Sequence, residues 1–210
     1  MSYGEKLKGL YVITDDTLTP LSTLLQQTKE ALEGGVKIVQ FRDKTNSDEV
    51  VKKTALKLQE LCTRFGAIFI LNDKVSLALE SHFDGLHIGK SDYDIFPQIR
   101  ENFKGILGVS CYGDIEKAKY FESLGADYVA FGSFFSSATK PDSSIVPLEV
   151  LQKAKEQLHI PICAIGGICT DNLDEIMEQN PDMVAVISDI WRSENIKEKC
   201  EIYNRTVLKH

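Results

Sequence analysis

Two acidic residues, Asp73 and Asp92, each stand just past a short apolar run, in Asn72-Asp73 and Gly89-Lys90-Ser91-Asp92. Carboxylates so placed suit magnesium, which takes one or two of them and fills its octahedron with water and phosphate oxygens. Asp73 equally suits the start of a following helix, where Asn and Asp are favoured caps. In Gln40-Phe41-Arg42-Asp43-Lys44 two cations alternate around an acid, so on an extended strand Arg42 and Lys44 share a face. That pair fits a diphosphate, with the Arg fork gripping oxygens and Lys acting as a point charge, or else a solvated salt-bridge cluster. Lys140, in Ser136-Ser137-Ala138-Thr139-Lys140, adds a third cation if its loop closes, and otherwise faces solvent. Gly166-Gly167 ahead of Thr170-Asp171 fits a phosphate held by backbone N–H groups and a helix N-terminus, with Ser188 in position to contribute. A tight turn that needs glycine is the alternative. Cys111 and Cys163 have no His partner in any motif and read as small core residues. His87 reads as a filler of the interior.

These residues need a frame that brings them together. Short apolar runs rich in β-branched residues recur at 10–14, 36–41, 67–71, 85–88, 106–110, 128–132, 162–165 and 184–187. Each reads as a strand buried on both faces, as in a parallel sheet covered by helices. The segments between them carry helical spacing, clearest in 48–65, 115–124 and 148–158. Gly34-Gly35, Gly66 and Gly125 stand where helices should stop. Eight alternations in 210 residues predict an α/β chain folded as one (β/α)8 barrel, a TIM barrel spanning 1–210 as a single domain. An open doubly wound sheet would need a Gly-rich turn after its first strand, but Thr14-Asp15-Asp16-Thr17 follows instead. The Ser-rich stretch 133–146 is the one long irregular connection and predicts an active-site loop. In such barrels the C-terminal strand ends carry function, and every residue singled out above except His87 and the two cysteines falls there or on that loop. Trp191 and Phe134-Phe135 fit either a pocket wall or a helix seat.

Composition narrows the classes. Apolar residues make up 43% and charged residues 26%, enough for a core without staples. No stretch approaches the ~20 apolar residues of a membrane span, and Met1 to Lys8 lack a signal-peptide core. Five cysteines without a CxxC pairing argue against a disulfide framework or a zinc cluster and predict reduced thiols in the cytoplasm. A net charge of −7 with no basic run predicts no nucleic-acid partner. It also means that anionic substrates need local cations or a metal. A homo-oligomer is compatible with the sequence but not indicated by it.

Together these segments resemble the thiamine-phosphate synthase (pyrophosphorylase) family. The resemblance runs from Gly9-Leu10-Tyr11-Val12-Ile13-Thr14-Asp15 to Val184-Ala185-Val186-Ile187-Ser188. It includes the motifs above in order, with Gly108-Val109-Ser110 and Ala164-Ile165-Gly166-Gly167-Ile168. It implies a transferase that joins hydroxymethylpyrimidine diphosphate to a thiazole phosphate, with or without a carboxylate, and releases pyrophosphate. It implies Gln40 to Lys44 (Phe41 and Asp43 included) and Asn72 on the pyrimidine diphosphate, and Asp73 and Asp92 on Mg2+. Ser110 and Lys140 would also contact that substrate, Lys140 at the leaving pyrophosphate, so that Arg42, Lys44, Ser110 and Lys140 form the catalytic group. Ser137, Ala138 and Thr139 would face the thiazole phosphate, and Gly167, Ile187 and Ser188 would take its phosphate. Both partners are phosphorylated small molecules.

Three positions depart from the family's usual pattern: Asp43 for Glu, Lys90 for Gln, and Ser136-Ser137 for Pro-Thr. They bear on thiazole affinity and loop closure. A related thiazole tautomerase branch shares the barrel and relies on a His soon after the strand-five Ser. Here that segment is Ser110-Cys111-Tyr112, and Asp92 is present, which favours the synthase. A non-catalytic barrel that binds a phosphorylated ligand would need the cations but not the acid pair.

Overall fold

The structure is a computed structural model that describes residues 6–136 and 144–209. Its strands are β1 (Gly9–Ile13), β2 (Ile38–Phe41), β3 (Ile68–Asn72), β4 (Gly85–Ile88), β5 (Ile106–Tyr112), β6 (Tyr128–Phe131), β7 (Ile162–Ile165) and β8 (Met183–Val186). All neighbours pair in parallel and β8 returns to β1, so the sheet is a closed barrel in sequence order. This is the expected (β/α)8 architecture. Strand ends differ from the sequence reading by one or two residues. β2 begins at Ile38 because the Val36 N–H still bonds back to Ala31 O and closes the preceding helix. β5 runs on to Tyr112 through a register shift after Ser110.

The helices are α1 (Leu24–Glu33), α2 (Asp48–Arg64), α3 (Val75–Glu80), α4 (Phe96–Asn102), α5 (Ile115–Ser123), α6 (Glu149–Gln157), α7 (Leu173–Met177), α8 (Ser188–Trp191) and α9 (Ile196–Val207). α2 shows why its sequence is helical. Ser47 accepts a hydrogen bond from Val50 N, Asp48 and Glu49 fill the first turn, and Arg64 lies in the last. Val51, Ala55, Leu58, Leu61 and Cys62 form its buried stripe. Asp114 and Asn195 cap α5 and α9 in the same way. No helix among the described residues is long and apolar enough to cross a membrane.

Side chains alternate across each strand, which divides the apolar residues into two cores. Leu10, Val12, Val39, Phe41, Phe69, Leu71, Val129 and Phe131 face the helices. Tyr11, Ile13, Ile38, Ile70, Ile106, Tyr128, Cys163, Met183 and Ala185 fill the barrel. Cys111 and Cys163 are buried as expected. Trp191 is a helix seat, since its indole N–H donates to Ile13 O (2.6 Å) and ties α8 to β1.

The N-terminal end of the barrel is stitched by a repeated device. Asp84, Asp127 and Asp182 immediately precede β4, β6 and β8, and each carboxylate accepts an N–H from the first or second residue of the strand before it. The contacts are to Phe69 (3.1 Å), Leu107 (2.8 Å) and Ile162 (2.8 Å). Asp182 also pairs with Lys155 at 2.9 Å. Asp182→Ala leaves the Ile162 N–H without its acceptor and should cost about 1–3 kcal/mol in a urea melt. Because this end lies opposite the functional rim, Michaelis constants should not move. A change in substrate affinity without loss of stability would show that the stitch does more than hold strands.

Candidate active site

At the C-terminal end the same alternation decides which polar groups turn inward. A cavity of about 700 Å³ opens there, with walls from the ends of all eight strands. Its floor is polar: Gln40, Asn72 and His87 are buried, and Ser110 is half-buried. The His87 imidazole bridges Ser110 Oγ (2.9 Å) and the Tyr128 hydroxyl (2.8 Å). Asn72 Nδ2 donates to His87 O at 3.4 Å.

One wall carries charge. Arg42 follows Gln40 by two residues and turns the same way, its N–H held by Thr14 Oγ1 at 2.9 Å. Its guanidinium makes no ion pair among the described residues. Lys44 Nζ lies 3.5 Å from Asp73 Oδ2, with side chains 56% and 32% exposed. A pair that exposed adds at most about 1 kcal/mol and yields readily to a phosphate. Asp73 sits in the left-handed region (φ 59°), which Asp tolerates, so the chain turns sharply after β3. Lys74, not Asp73, is the cap residue of α3, and no side chain caps that helix. The cap alternative for Asp73 is therefore not what the turn uses.

Asp92 lies in a 3-10 helix (Lys90–Ile95), where its N–H donates to Gly89 O (3.1 Å) and its carboxylate accepts from Ser91 Oγ (2.8 Å). A Cβ on Gly89 would be 3.9 Å from Asp73 Oδ1, and the Asp92 backbone N–H bonds Gly89 O, so both residues adjoin the Gly89 turn. No cluster of three or more His, Cys, Asp or Glu exists among the described residues. Asp73 lines the cavity and Asp92 follows the lining residue Ser91; magnesium, which draws most of its shell from phosphate and water, asks for one or two carboxylates.

The opposite wall is backbone. Gly166 and Gly167 both have positive φ (105° and 66°). A Cβ on Gly166 would come within 2.0 Å of Ser133 Oγ, and one on Gly167 within 2.6 Å of Phe135 O. The pair is glycine because the loop after β6 lies directly on it, which leaves its backbone facing the cavity. Ile187 and Ser188 lie beside it, where α8 begins with amides that a helix leaves without intrahelical acceptors.

Gln40, Arg42, Lys44, Asn72, Asp73, Ser110, Gly167, Ile187 and Ser188 thus line one cavity. Three expected residues among those described, Phe41, Asp43 and Asp92, do not. The pleat turns Phe41 outward into the core beneath the helices, 2% exposed. Asp43 folds onto its own loop instead, accepting from Thr45 N (3.0 Å), Asn46 N (2.9 Å) and Asn46 Nδ2 (2.8 Å). Asp92 stands just outside the lining, beside Ser91. Ser137, Ala138, Thr139 and Lys140 lie outside the described residues, as does half of the expected active-site loop. The sequence reading missed Tyr11 and Tyr128, buried hydroxyls below the floor. Their inward register among apolar neighbours was the available signal, since a buried phenol needs a partner.

The chain is thus a closed (β/α)8 barrel whose C-terminal cavity is lined by cations, a carboxylate and glycine backbone. The family profile described as thiamine monophosphate synthase matches residues 10–190. The chain belongs to that family, and its thiamine-phosphate synthase relatives are transferases. It is 43% identical over 187 residues to the thiamine-phosphate synthase of Wolinella succinogenes, covering 89% of this chain and 86% of that one. To the Thermoplasma acidophilum thiamine-phosphate synthase it is 41% identical over 188 residues, covering 90% and 87%. The solved thiamine phosphate pyrophosphorylase of Pyrococcus furiosus superposes with a TM-score of 0.86 at 35% identity, covering 97% and 96%.

The Asp43 turn generates a pH test. Burial alone would raise this carboxyl, but its four hydrogen bonds from Asn46 and Thr45 hold it below the ordinary value of 3.8. A lowered carboxyl stabilises the fold fully above 3.8 and loses that contribution as pH falls through its folded value. Asp43→Ala should therefore cost about 1–3 kcal/mol at pH 7, with the gap to the parent narrowing towards pH 3. Urea melts at both pH values check this, and a gap independent of pH would show that the carboxylate charge is not what the turn uses.

Proposed function

We propose that this enzyme is a thiamine-phosphate synthase that joins hydroxymethylpyrimidine diphosphate to a thiazole phosphate and releases pyrophosphate. The observation that carries this reading is the arrangement of one cavity. A polar floor of Gln40, Asn72 and Ser110 lies between a charged wall of Arg42, Lys44 and Asp73 and a backbone wall of Gly167 and Ser188. A heteroaromatic ring needs the floor, its diphosphate needs the charged wall, and a second phosphate needs the far wall.

The barrier is loss of pyrophosphate from the pyrimidine methylene carbon, which leaves a carbocation that the thiazole nitrogen captures. Arg42 and Lys44 would grip the diphosphate, and Lys44 would exchange its Asp73 contact for phosphate oxygens as negative charge grows there. Asp73 and Asp92 would hold a magnesium ion on the diphosphate, whose charge further stabilises the departing oxygens. Gln40, Asn72 and Ser110 would fix the pyrimidine ring, and Gly167, Ile187 and Ser188 would place the thiazole phosphate in line. Ser137 to Thr139 would meet the thiazole phosphate and Lys140 the leaving pyrophosphate, by the family resemblance alone. The chemistry asks for no protein nucleophile. The free cysteines of the described residues, four of them buried, support action in a reducing cytoplasm.

Purified protein given both substrates should release pyrophosphate only with magnesium, and chelator should stop it. Release without the thiazole phosphate, or none at all beside tight thiazole phosphate binding, would overturn the synthase reading in favour of a hydrolase or a binding barrel. Asp92→Ala should lower kcat about a hundredfold, as loss of several kcal/mol of charge stabilisation implies, with an unchanged melting curve. Full turnover at saturating magnesium would remove Asp92 from the metal site.

A further inference from the structure

Beneath the cavity five polar side chains from five strands form one continuous hydrogen-bonded line. Gln40 Nε2 donates to the Tyr11 hydroxyl at 2.6 Å, and the Tyr11 and Tyr128 hydroxyls meet at 2.9 Å. The Tyr128 hydroxyl lies 2.8 Å from His87 Nδ1, and His87 Nε2 lies 2.9 Å from Ser110 Oγ. The middle of the line is sealed, with Tyr11 1% and Tyr128 0% exposed. Both ends, Gln40 and Ser110, reach the cavity. β5 makes room for the line by carrying Gly108, where a Cβ would lie 2.0 Å from Tyr128 Cζ and 2.5 Å from its hydroxyl. The Tyr93 hydroxyl donates to Ser110 O and anchors the far end. Buried polar groups cost stability unless fully satisfied, and apolar side chains fill the rest of this interior, so packing alone does not ask for such a line.

Counting protons shows what the line does. Burial pushes both phenols well above their ordinary range, so each keeps its single proton. A neutral imidazole also carries one. With Gln40 Nε2–H as the head donor, Tyr11 accepts there and gives its proton to Tyr128. Tyr128 gives its own to His87 Nδ1, so His87 carries its proton on Nε2 and donates to Ser110 Oγ. Ser110 is then left with an O–H to donate into the cavity, and Gln40 with its amide oxygen as an acceptor. Reversing any single link would put two protons, or none, into one contact. With His87 neutral, the other coherent state of this line reverses every link at once, including the Gln40 amide.

We infer that Tyr11, Tyr128 and His87 are positioning residues that lock the floor of the cavity in one polarity, with Ser110 as donor and Gln40 as acceptor. A ring edge that presents a nitrogen acceptor beside an amino donor matches that polarity, and an oxo-pyrimidine, with N–H donor and carbonyl acceptor interchanged, opposes it. The line is thus a specificity device for aminopyrimidines, and this deepens the proposed function by naming how its first substrate is chosen.

The test uses the full-length protein with ¹⁵N-labelled histidine. Without substrate, His87 should appear as the Nε2–H tautomer, and Tyr128→Phe should shift it towards a mixture with Nδ1–H. An Nδ1–H tautomer in the parent, or a tautomer untouched by Tyr128→Phe, would overturn the lock. In the assay, Tyr11→Phe and Tyr128→Phe should each raise KM for the pyrimidine diphosphate about tenfold, the effect of one misdirected hydrogen bond, and the thiazole phosphate KM far less. The preference for the amino over the oxo diphosphate should fall by a similar factor. Folded variants that keep the full preference would also overturn the lock. Because the NMR readout needs no turnover, a failed lock is distinguishable from a failed assignment of the reaction.

Discussion

Side-chain alternation in a closed barrel is the constraint from which this protein's chemistry follows. A strand residue must face either the helices or the interior, and closing eight strands brings every inward residue of one layer to a common centre. Ile13, Gln40, Asn72, His87, Ser110, Ala130, Ile165 and Ala185 come from all eight strands and line one cavity. One residue further along any strand, the side chain belongs to a different core. That is why Gln40 and Arg42 work in the cavity while Phe41 packs under the helices and Asp43 builds a turn.

The two ends of the barrel use acidic residues in different ways. At the N-terminal end Asp84, Asp127 and Asp182 accept strand N–H groups and serve the sheet. At the C-terminal end the Asp73 carboxylate, among the described residues, pairs with Lys44 at 3.5 Å in an exposed contact that leaves room for another partner. A chain of net charge −7 repels anions at long range, so the cations that matter are those gathered on the cavity wall. Among the described residues Arg42 and Lys44 stand there without a tight structural ion pair, so that phosphate oxygens displace little on binding.

Rigid positioning is supplied from below the floor as well as from the strands. Tyr11 and Tyr128 are too deep to touch a ligand, yet they connect Gln40 to Ser110 across the barrel. Gly108 and the glycine pair Gly166-Gly167 play complementary parts, the first clearing space for a ring and the second admitting a loop to the cavity wall. In each case an absent side chain decides where a polar group can go.

The sequence by itself determined the eightfold alternation of strand and helix, because buried parallel strands and amphipathic helices leave opposite periodicities in a chain. It also determined the family, and with it most of the cavity residues, since Gln40, Arg42, Lys44, Asn72, Asp73, Ser110 and Ser188 sit at strand ends in recognisable segments. Local pattern could not separate Phe41 and Asp43 from their neighbours, because a motif names consecutive residues whereas a pleat uses alternate ones. Nor could it connect Tyr11 to Tyr128, 117 positions apart. Which hydroxyl meets which imidazole depends on the register of strands closed around a barrel, and only the tertiary structure fixes that register.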